Sequence, residues 1–377
     1  MAGNDRIATT HAGSLPRPAD LADLIWAKLD GQEVDEAALE TRIEAAVDEV
    51  VAKQREAGVD VVSDGEQSKT GFSTYVNERF SGFDGRSEFQ SDDVADFPEL
   101  AMRLFATDSM AHVVFSNCVG PAELTDKEAV HKDIARLKRA LGDADPSTAF
   151  MGAVSPGQIA FNYPDHHYGS HEKYLEALAD ELRYEYKAIT DAGLNLQIDS
   201  PDAAMAAHSR SVGSSIISWE QHLPLAIEAL NAALDGIPDE QVRFHVCWGN
   251  YGGPHHHDVP LEKIIDDVLK VHAGTIYVEG GNPRHEHEWR VFRDHTLPDD
   301  KKVILGVIDT KSNHVEHPRV VADRLVNLGK VIGKERLLAG TDCGFDTFIR
   351  FSLVDPGVAW LKLKSLSEGA EIASGEL

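Results

Sequence analysis

His245 and Cys247 stand two apart in the apolar run Phe244-His245-Val246-Cys247-Trp248. A strand points residues i and i+2 to the same face, so an imidazole and a thiol would lie side by side at one end of a buried strand. That pair is half of a zinc site, because zinc takes about four nitrogen, sulfur or oxygen ligands in a tetrahedron. Glu279, which ends the run Thr275-Ile276-Tyr277-Val278, is one candidate for the other half. Cys343, in the turn Gly340-Thr341-Asp342-Cys343-Gly344, is the second. One imidazole, two thiolates and one carboxylate would leave a zinc site with net charge about −1. Such an electron-rich ion activates water poorly. It holds a substrate thiol well, lowering its pKa while the thiolate stays nucleophilic. The carboxylate is the ligand most easily displaced by an incoming sulfur.

Other residues of the same types read differently. A buried cysteine is usually a small hydrophobe, and Cys118 is read that way. His255-His256-His257 follows Gly253-Pro254 and reads as a solvated loop. His285 and His287 flank Glu286 without the His-Glu-x-x-His spacing, so they read as a polar loop or as groups that orient the ligands. Glu66 and Asp199 end apolar runs and suit either solvent or a substrate cation.

The elements that must position these groups recur along the chain. The stretch 35–57 carries an apolar stripe of Leu39, Ile43, Val47, Val50 and Val51, with Asp35 as N-cap and Gly58 as stop. Three times an Ala-Gly pair (Ala57-Gly58, Ala192-Gly193, Ala273-Gly274) is followed by an apolar run that finishes on a carboxylate. Counting such runs predicts eight strands near 7–11, 59–64, 148–153, 194–199, 242–247, 275–279, 303–308 and 336–341. Helical patterns at 171–192, 219–235, 260–272 and 316–333 separate most of them. Near-continuous apolar strands suit a parallel sheet covered on both faces. The expectation is an α/β fold of the (β/α)8 TIM-barrel type, with an insertion of about 72–146 after the second strand. A hairpin element at 111–117 and a charged helix at 126–141 are expected inside that insertion. A doubly wound open sheet is the alternative, although no Gly-x-Gly-x-x-Gly follows the first strand. A final helix at 358–366 should pack on the barrel, with a frayed tail beyond it.

The bulk properties narrow the class. The 377 residues, 42% hydrophobic, suffice for one large core, and a single domain over 1–377 is expected. A formal net charge of −27 argues against nucleic acid or an anionic membrane as partner. The first residues show no signal pattern, no apolar run would span a bilayer, and three cysteines make a disulfide framework unlikely to be the plan of the fold. A cytoplasmic setting with free thiols is the expectation.

In a barrel the site lies at the C-terminal strand ends. There stand His11 and Ser14, Asp64 and Glu66, Ser155, Asp199, His245 and Cys247, Glu279, Asp309 and Lys311, and Asp342 and Cys343. Together these residues resemble the cobalamin-independent methionine synthase superfamily in its short, single-barrel form. The likeness is carried by Thr9-Thr10-His11-Ala12-Gly13-Ser14-Leu15-Pro16, Ser63-Asp64-Gly65-Glu66, Gln197-Ile198-Asp199-Ser200-Pro201, His245-x-Cys247, Glu279 and Asp342-Cys343-Gly344. It implies Zn2+ on His245, Cys247, Glu279 and Cys343, and a thiolate attacking an electrophilic carbon.

Three further segments are similar to the branch that contains epoxyalkane:coenzyme M transferase: Val154-Ser155-Pro156-Gly157-Gln158, Trp248-Gly249-Asn250-Tyr251, and Asn282-Pro283-Arg284-His285-Glu286-His287-Glu288. That branch implies opening of a small epoxide by coenzyme M. It would need a cation for the sulfonate (Arg17, Lys69 or Arg284) and an acid for the alkoxide (His11, Lys311 or His314). Asp309-Thr310-Lys311 replaces the Asp-x-His usual in the wider family. Glu66 and Asp199 imply instead the amine of homocysteine, hence methyl transfer to that thiol, with Ser14 also in the substrate site. A third possibility from a different class is a non-catalytic, zinc-stabilised binding barrel.

Overall fold

The structure is a computed structural model describing residues 6–105, 113–214, 216 and 218–377. Seven strands form one parallel sheet. Their order is Ala8–Thr9, Leu337–Gly340, Lys302–Gly306, Thr275–Val278, Val242–His245, Asn195–Asp199 and Phe150–Val154. The strands are apolar on both faces, and nearly all their residues are buried, as a sheet covered by helices requires.

The remaining predicted strand, 59–64, makes only an isolated bridge from Val62 to Ala149. Its backbone nonetheless reaches both edges of the sheet. Asp60 and Val61 donate to the Thr9 carbonyl at 3.1 and 3.0 Å, while Phe150 donates to Val62 at 2.9 Å.

The recurring Ala-Gly pair serves two physical ends. Gly58 and Gly193 both sit at φ +84°, where a side chain is strained, and end the helices Glu36–Glu56 and His171–Asp191. Gly274 needs no special backbone angle. A Cβ there would lie 2.9 Å from the Asp239 carbonyl and from Glu240 Cα, so close packing excludes a side chain. Asp35 caps its helix as read from sequence, accepting from the amides of Ala37 and Ala38.

Three regions depart from expectation. The stretch 260–272 is a short 3-10 turn, Leu261–Lys263, and one helical turn, Ile265–Val268, instead of a full helix. The last helix runs Pro356–Glu376, well past the expected end at 366, because Ala359, Leu363, Leu366, Ala370 and Ala373 keep a buried stripe through the Ser/Gly/Glu segment. Within the insertion, Phe80–Asp84 pairs antiparallel with Asn117–Leu124, and Phe89–Ser91 with Ser209–Ser211. Part of the hairpin element expected at 111–117, and the first residues, 1–5, in which no signal pattern was expected, lie outside the described residues. The expected charged helix is present as Glu128–Leu141. Among the described residues, no helix is long and apolar enough to cross a membrane.

Candidate active site

The paired register of two neighbouring strands builds the first contact. Asp199 and His245 are register partners at the ends of their strands. His245 Nδ1 meets Asp199 Oδ1 at 2.7 Å, and the ring rests against Tyr277 with centroids 4.7 Å apart. Burial opposes a charge on His245, but the Asp199 carboxylate outweighs it and raises the imidazole pKa. The Asp199 bond occupies Nδ1 and leaves Nε2 facing the Asp342 carbonyl at 3.4 Å.

Two residues on, the chain has left the strand, and Cys247 Sγ lies 3.5 Å from Cys343 Sγ. The Cys247 thiol donates to Cys343, which raises the first thiol well above its ordinary range and lowers the second. The Gly249 amide also donates to Cys247 Sγ at 3.2 Å. Two sulfurs bound to one tetrahedral zinc at about 2.3 Å would stand roughly 3.8 Å apart, close to the spacing found here. His245 lines the same cavity as the two sulfurs, and one imidazole with two thiols is a donor set of the kind zinc takes, although the three donor atoms do not all lie within 4.8 Å of one another.

Glu279 is placed differently. It is 1% exposed and does not line the cavity described below. Its Oε1 accepts from the Trp248 amide at 2.9 Å, and its Oε2 accepts from Asn282 at 2.8 Å and Lys311 at 2.9 Å. Asn282 also donates to Asp342 Oδ2 at 2.8 Å, and Asp342 Oδ1 takes the amides of Gly280 and Gly281. The loop carrying Glu279 and the turn carrying Cys343 are thereby stapled together. The four residues do not close into one ligand sphere. Among the described residues, Asp96, His256 and His257 alone bring three donor atoms within 4.8 Å of one another.

A cavity of about 1100 Å³ opens over this floor, lined by Ser14, Glu66, Asp199, His245, Cys247 and Cys343. Its walls are largely aromatic: Phe72, Phe89, Phe115, Phe161, Phe348 and Phe351. Most of these come from the insertion and from the loop after Gly344.

Glu66 is its most unusual member. It is 3% exposed, adopts φ +57° although it is not glycine, and leaves Oε2 without a hydrogen-bond partner. An Asp64 oxygen accepts from its amide at 3.0 Å and fixes the turn. Burial is the main cause that raises its pKa to about 7, with Asp199 adding to it and Lys69 opposing. A Cβ on Gly152 would lie 3.0 Å from Asp199 Oδ2 and 3.6 Å from Glu66 Oε1, so the two carboxylates flank that glycine.

The remaining sequence candidates are drawn into other contacts. Arg17 donates to Asp346 and to the carbonyls of Glu66 and Lys69, all at 2.8 Å, beneath the cavity. Lys69 donates to the Gly152 carbonyl at 2.7 Å. Arg284 faces the carbonyls of His256 and Asp258. None of the three lines the cavity, where the cationic side chains are Arg86 and Arg210. His11 is bound to Gln54 Oε1 at 2.7 Å, and burial lowers its pKa to about 3. Lys311 is committed to Glu279, which raises its pKa against the cost of burial. His314 is exposed and outside the cavity. Cys118 is fully buried, and its thiol donates to the Gly120 carbonyl at 3.4 Å.

Sequence reasoning missed three contributors. Arg243 is buried under the floor, donating to the His11 carbonyl at 2.9 Å with its guanidinium 3.9 Å over the Phe150 ring. Asn282 bridges Glu279 and Asp342; it opens the segment 282–288 quoted for the resemblance, but no role was read for it there. The aromatic wall had no periodic signal at all.

The catalytic-domain model of the cobalamin-independent synthases matches residues 7–352. The chain belongs to that family. It is 26% identical to a 2-hydroxypropyl-CoM lyase of Xanthobacter autotrophicus, over 98% of this chain and 96% of that one. It is also 26% identical to a methionine synthase of Thermococcus kodakarensis, over 98% and 94%. A B12-independent methionine synthase from Shewanella, solved with selenomethionine, superposes with a TM-score of 0.74 at 24% identity, covering 98% of each chain. That likeness concerns the fold. The relatives' names are those of synthases and a lyase, so the chain is placed in an enzyme family.

Proposed function

We propose that this protein is a zinc-dependent thiol alkyltransferase whose acceptor is an amino thiol of the homocysteine type. The observation that carries the reading is Glu66: a buried carboxylate that lines the cavity with Asp199 and has one oxygen without a hydrogen-bond partner. Two carboxylates at the floor suit an ammonium and repel a sulfonate. Zinc held by His245, Cys247 and Cys343, with Glu279, would lower the pKa of the substrate thiol and keep it nucleophilic.

The chain's own residues do the rest. Asp199 fixes the His245 ring through Nδ1 and leaves Nε2 as the ligand atom. Lys311 and Asn282 hold the Glu279 carboxylate in place behind the cavity floor. Glu66 and Asp199 orient the amine so that the sulfur points at the cysteine pair. The aromatic walls exclude water and leave room for an electrophile far larger than epoxypropane. None of His11, Lys311 and His314 lines the cavity, which favours a donor that leaves without forming an alkoxide. We read the sheet as a (β/α)8 barrel in one domain, with 59–64 closing the gap between its edges.

A second reading is opening of an epoxide by coenzyme M. The likeness to the 2-hydroxypropyl-CoM lyase supports it, as do Arg86 and Arg210 at the cavity. The deciding assay offers zinc-loaded protein homocysteine or coenzyme M, each with methyl donors or epoxypropane, and identifies thioethers by mass spectrometry. Alkylated homocysteine is expected. Formation of 2-hydroxypropyl-coenzyme M with homocysteine inert overturns the amino-thiol reading. A zinc absorption edge unchanged by either thiol would point to the non-catalytic barrel.

A further inference from the structure

We infer that Asp96, His256 and His257 form a second divalent-metal site, distinct from the cysteine pair, that clips the insertion to the loop leaving the His245 strand. His256 Nε2 and His257 Nε2 lie 3.0 and 2.9 Å from the same Asp96 oxygen. The three donor atoms fall within 4.8 Å of one another, the one such group among the described residues. Bonds of about 2.1 Å place neighbouring donors roughly 3.0 Å apart in an octahedron and 3.4 Å apart in a tetrahedron. The two imidazole–carboxylate spacings, 3.0 and 2.9 Å, match the octahedral figure. Two imidazoles and a carboxylate select a borderline ion such as Zn2+, Ni2+ or Co2+. The side chains are 39%, 44% and 52% exposed, which leaves the other positions to water.

The backbone is built to present this pair. His255 adopts φ +55°, an uncommon conformation for a residue with a side chain. It is held there by three contacts. Its Nδ1 meets Asp258 at 2.9 Å, its Nε2 meets the Tyr251 carbonyl at 3.1 Å, and its amide donates to Asp93 at 3.2 Å. His255 thus turns inward, while the next two imidazoles project together with centroids 4.1 Å apart. Phe97 packs edge-on against His256 at 5.6 Å.

The location gives the site a consequence. Asp96 caps the helix Asp92–Ala95, and Asp92, Val94 and Ala95 line the cavity. The histidines extend the loop whose Gly249, Asn250 and Tyr251 line it from the other side. Exposed imidazole–carboxylate pairs hold two segments weakly. Coordination by one ion would join them firmly and restrain one wall of the cavity. This site does not depend on the function proposed above.

The test uses untagged protein carrying one equivalent of zinc, with zinc weakly held at exposed groups removed by dialysis, titrated with Ni2+ by calorimetry, with hydrogen exchange of residues 92–104 followed in parallel. One Ni2+ should bind with micromolar affinity and slow that exchange severalfold. The H256A/H257A double variant should weaken binding at least tenfold while keeping the circular dichroism spectrum of the parent. Cu2+ electron paramagnetic resonance should show two nitrogen ligands in the parent and none in the variant. Absence of Ni2+ binding, equal binding by the double variant, or unchanged exchange on binding overturns the inference.

Discussion

Replacing Glu66 with Gln tests the amino-thiol site most directly. The carboxylate is buried and flanked by Asp199, and one of its oxygens has no partner. A bound ammonium would supply that partner. Removing one side of a buried charge-assisted hydrogen bond costs about 1.5–3 kcal/mol, or roughly 10- to 150-fold in affinity. E66Q should therefore raise the homocysteine KM by that factor and leave zinc content unchanged. E66Q is cleaner than D199N, because Asp199 also holds His245.

The pH dependence supplies an independent check. The pKa of Glu66 is raised from 4.5 to about 7, so the buried acid resists ionisation by roughly 3 kcal/mol. The sign follows from linkage. A raised pKa contributes stability that is fully present below about 4.5 and is lost as pH rises through about 7. Parent protein should lose urea stability across that window, and E66Q should lose less. Affinity should run the opposite way, because the ammonium needs the ionised carboxylate. In the parent, relative to E66Q, thiol affinity should fall about tenfold per pH unit below 7. Calorimetry of homocysteine binding from pH 5.5 to 8.5 measures it. An E66Q affinity within twofold of the parent across that range would refute the reasoning.

Three further outcomes are expected. C247A, made in the H256A/H257A background so that the second site holds no zinc, removes one of the two adjacent sulfurs, so zinc by atomic emission should fall from about one equivalent to a small fraction, with activity; retained zinc means the ligand set is wrong. K311M leaves Glu279 buried without its cation, so the chelated protein should lose about 3–5 kcal/mol in urea unfolding; an unchanged midpoint would show that Asn282 and the Trp248 amide suffice. His285 lies between Asp258 and Glu288 at 2.9 and 2.8 Å, and against the cost of burial these carboxylates raise its pKa from 6.5 to about 9. Its contribution of roughly 3 kcal/mol is fully present below about 6.5 and is lost as pH rises through about 9. The urea midpoint of the parent should drop between pH 8 and 10, and a parallel drop in H285Q would assign the slope to another group.

The parallel sheet was legible because its strands are buried on both faces and leave unbroken apolar runs separated by amphipathic helices. The pairing of His245 with Cys247 rested on spacing alone, and both residues do line one cavity. Glycine pairs marked helix ends, but the sequence could not separate Gly58, required by its backbone angle, from Gly274, required by contact.

What the sequence by itself determined was local: periodicity, caps, and residue types at strand ends. What depended on contacts between distant segments was decided only in three dimensions. Arg17 and Glu66 both stand near strand ends, yet packing tied one to Asp346 and left the other with a bare oxygen. Glu279 was expected to reach into the site, and Lys311, 32 residues on, draws it away. The aromatic wall gathers residues from the insertion, from Phe161 and from the loop after the cysteine turn, which no spacing in the chain relates. The organisation around His245 and Cys247 follows the same division: their phase on one strand is written in the chain, and Cys343 beside them is a property of the sheet's C-terminal end, where loops far apart in sequence meet.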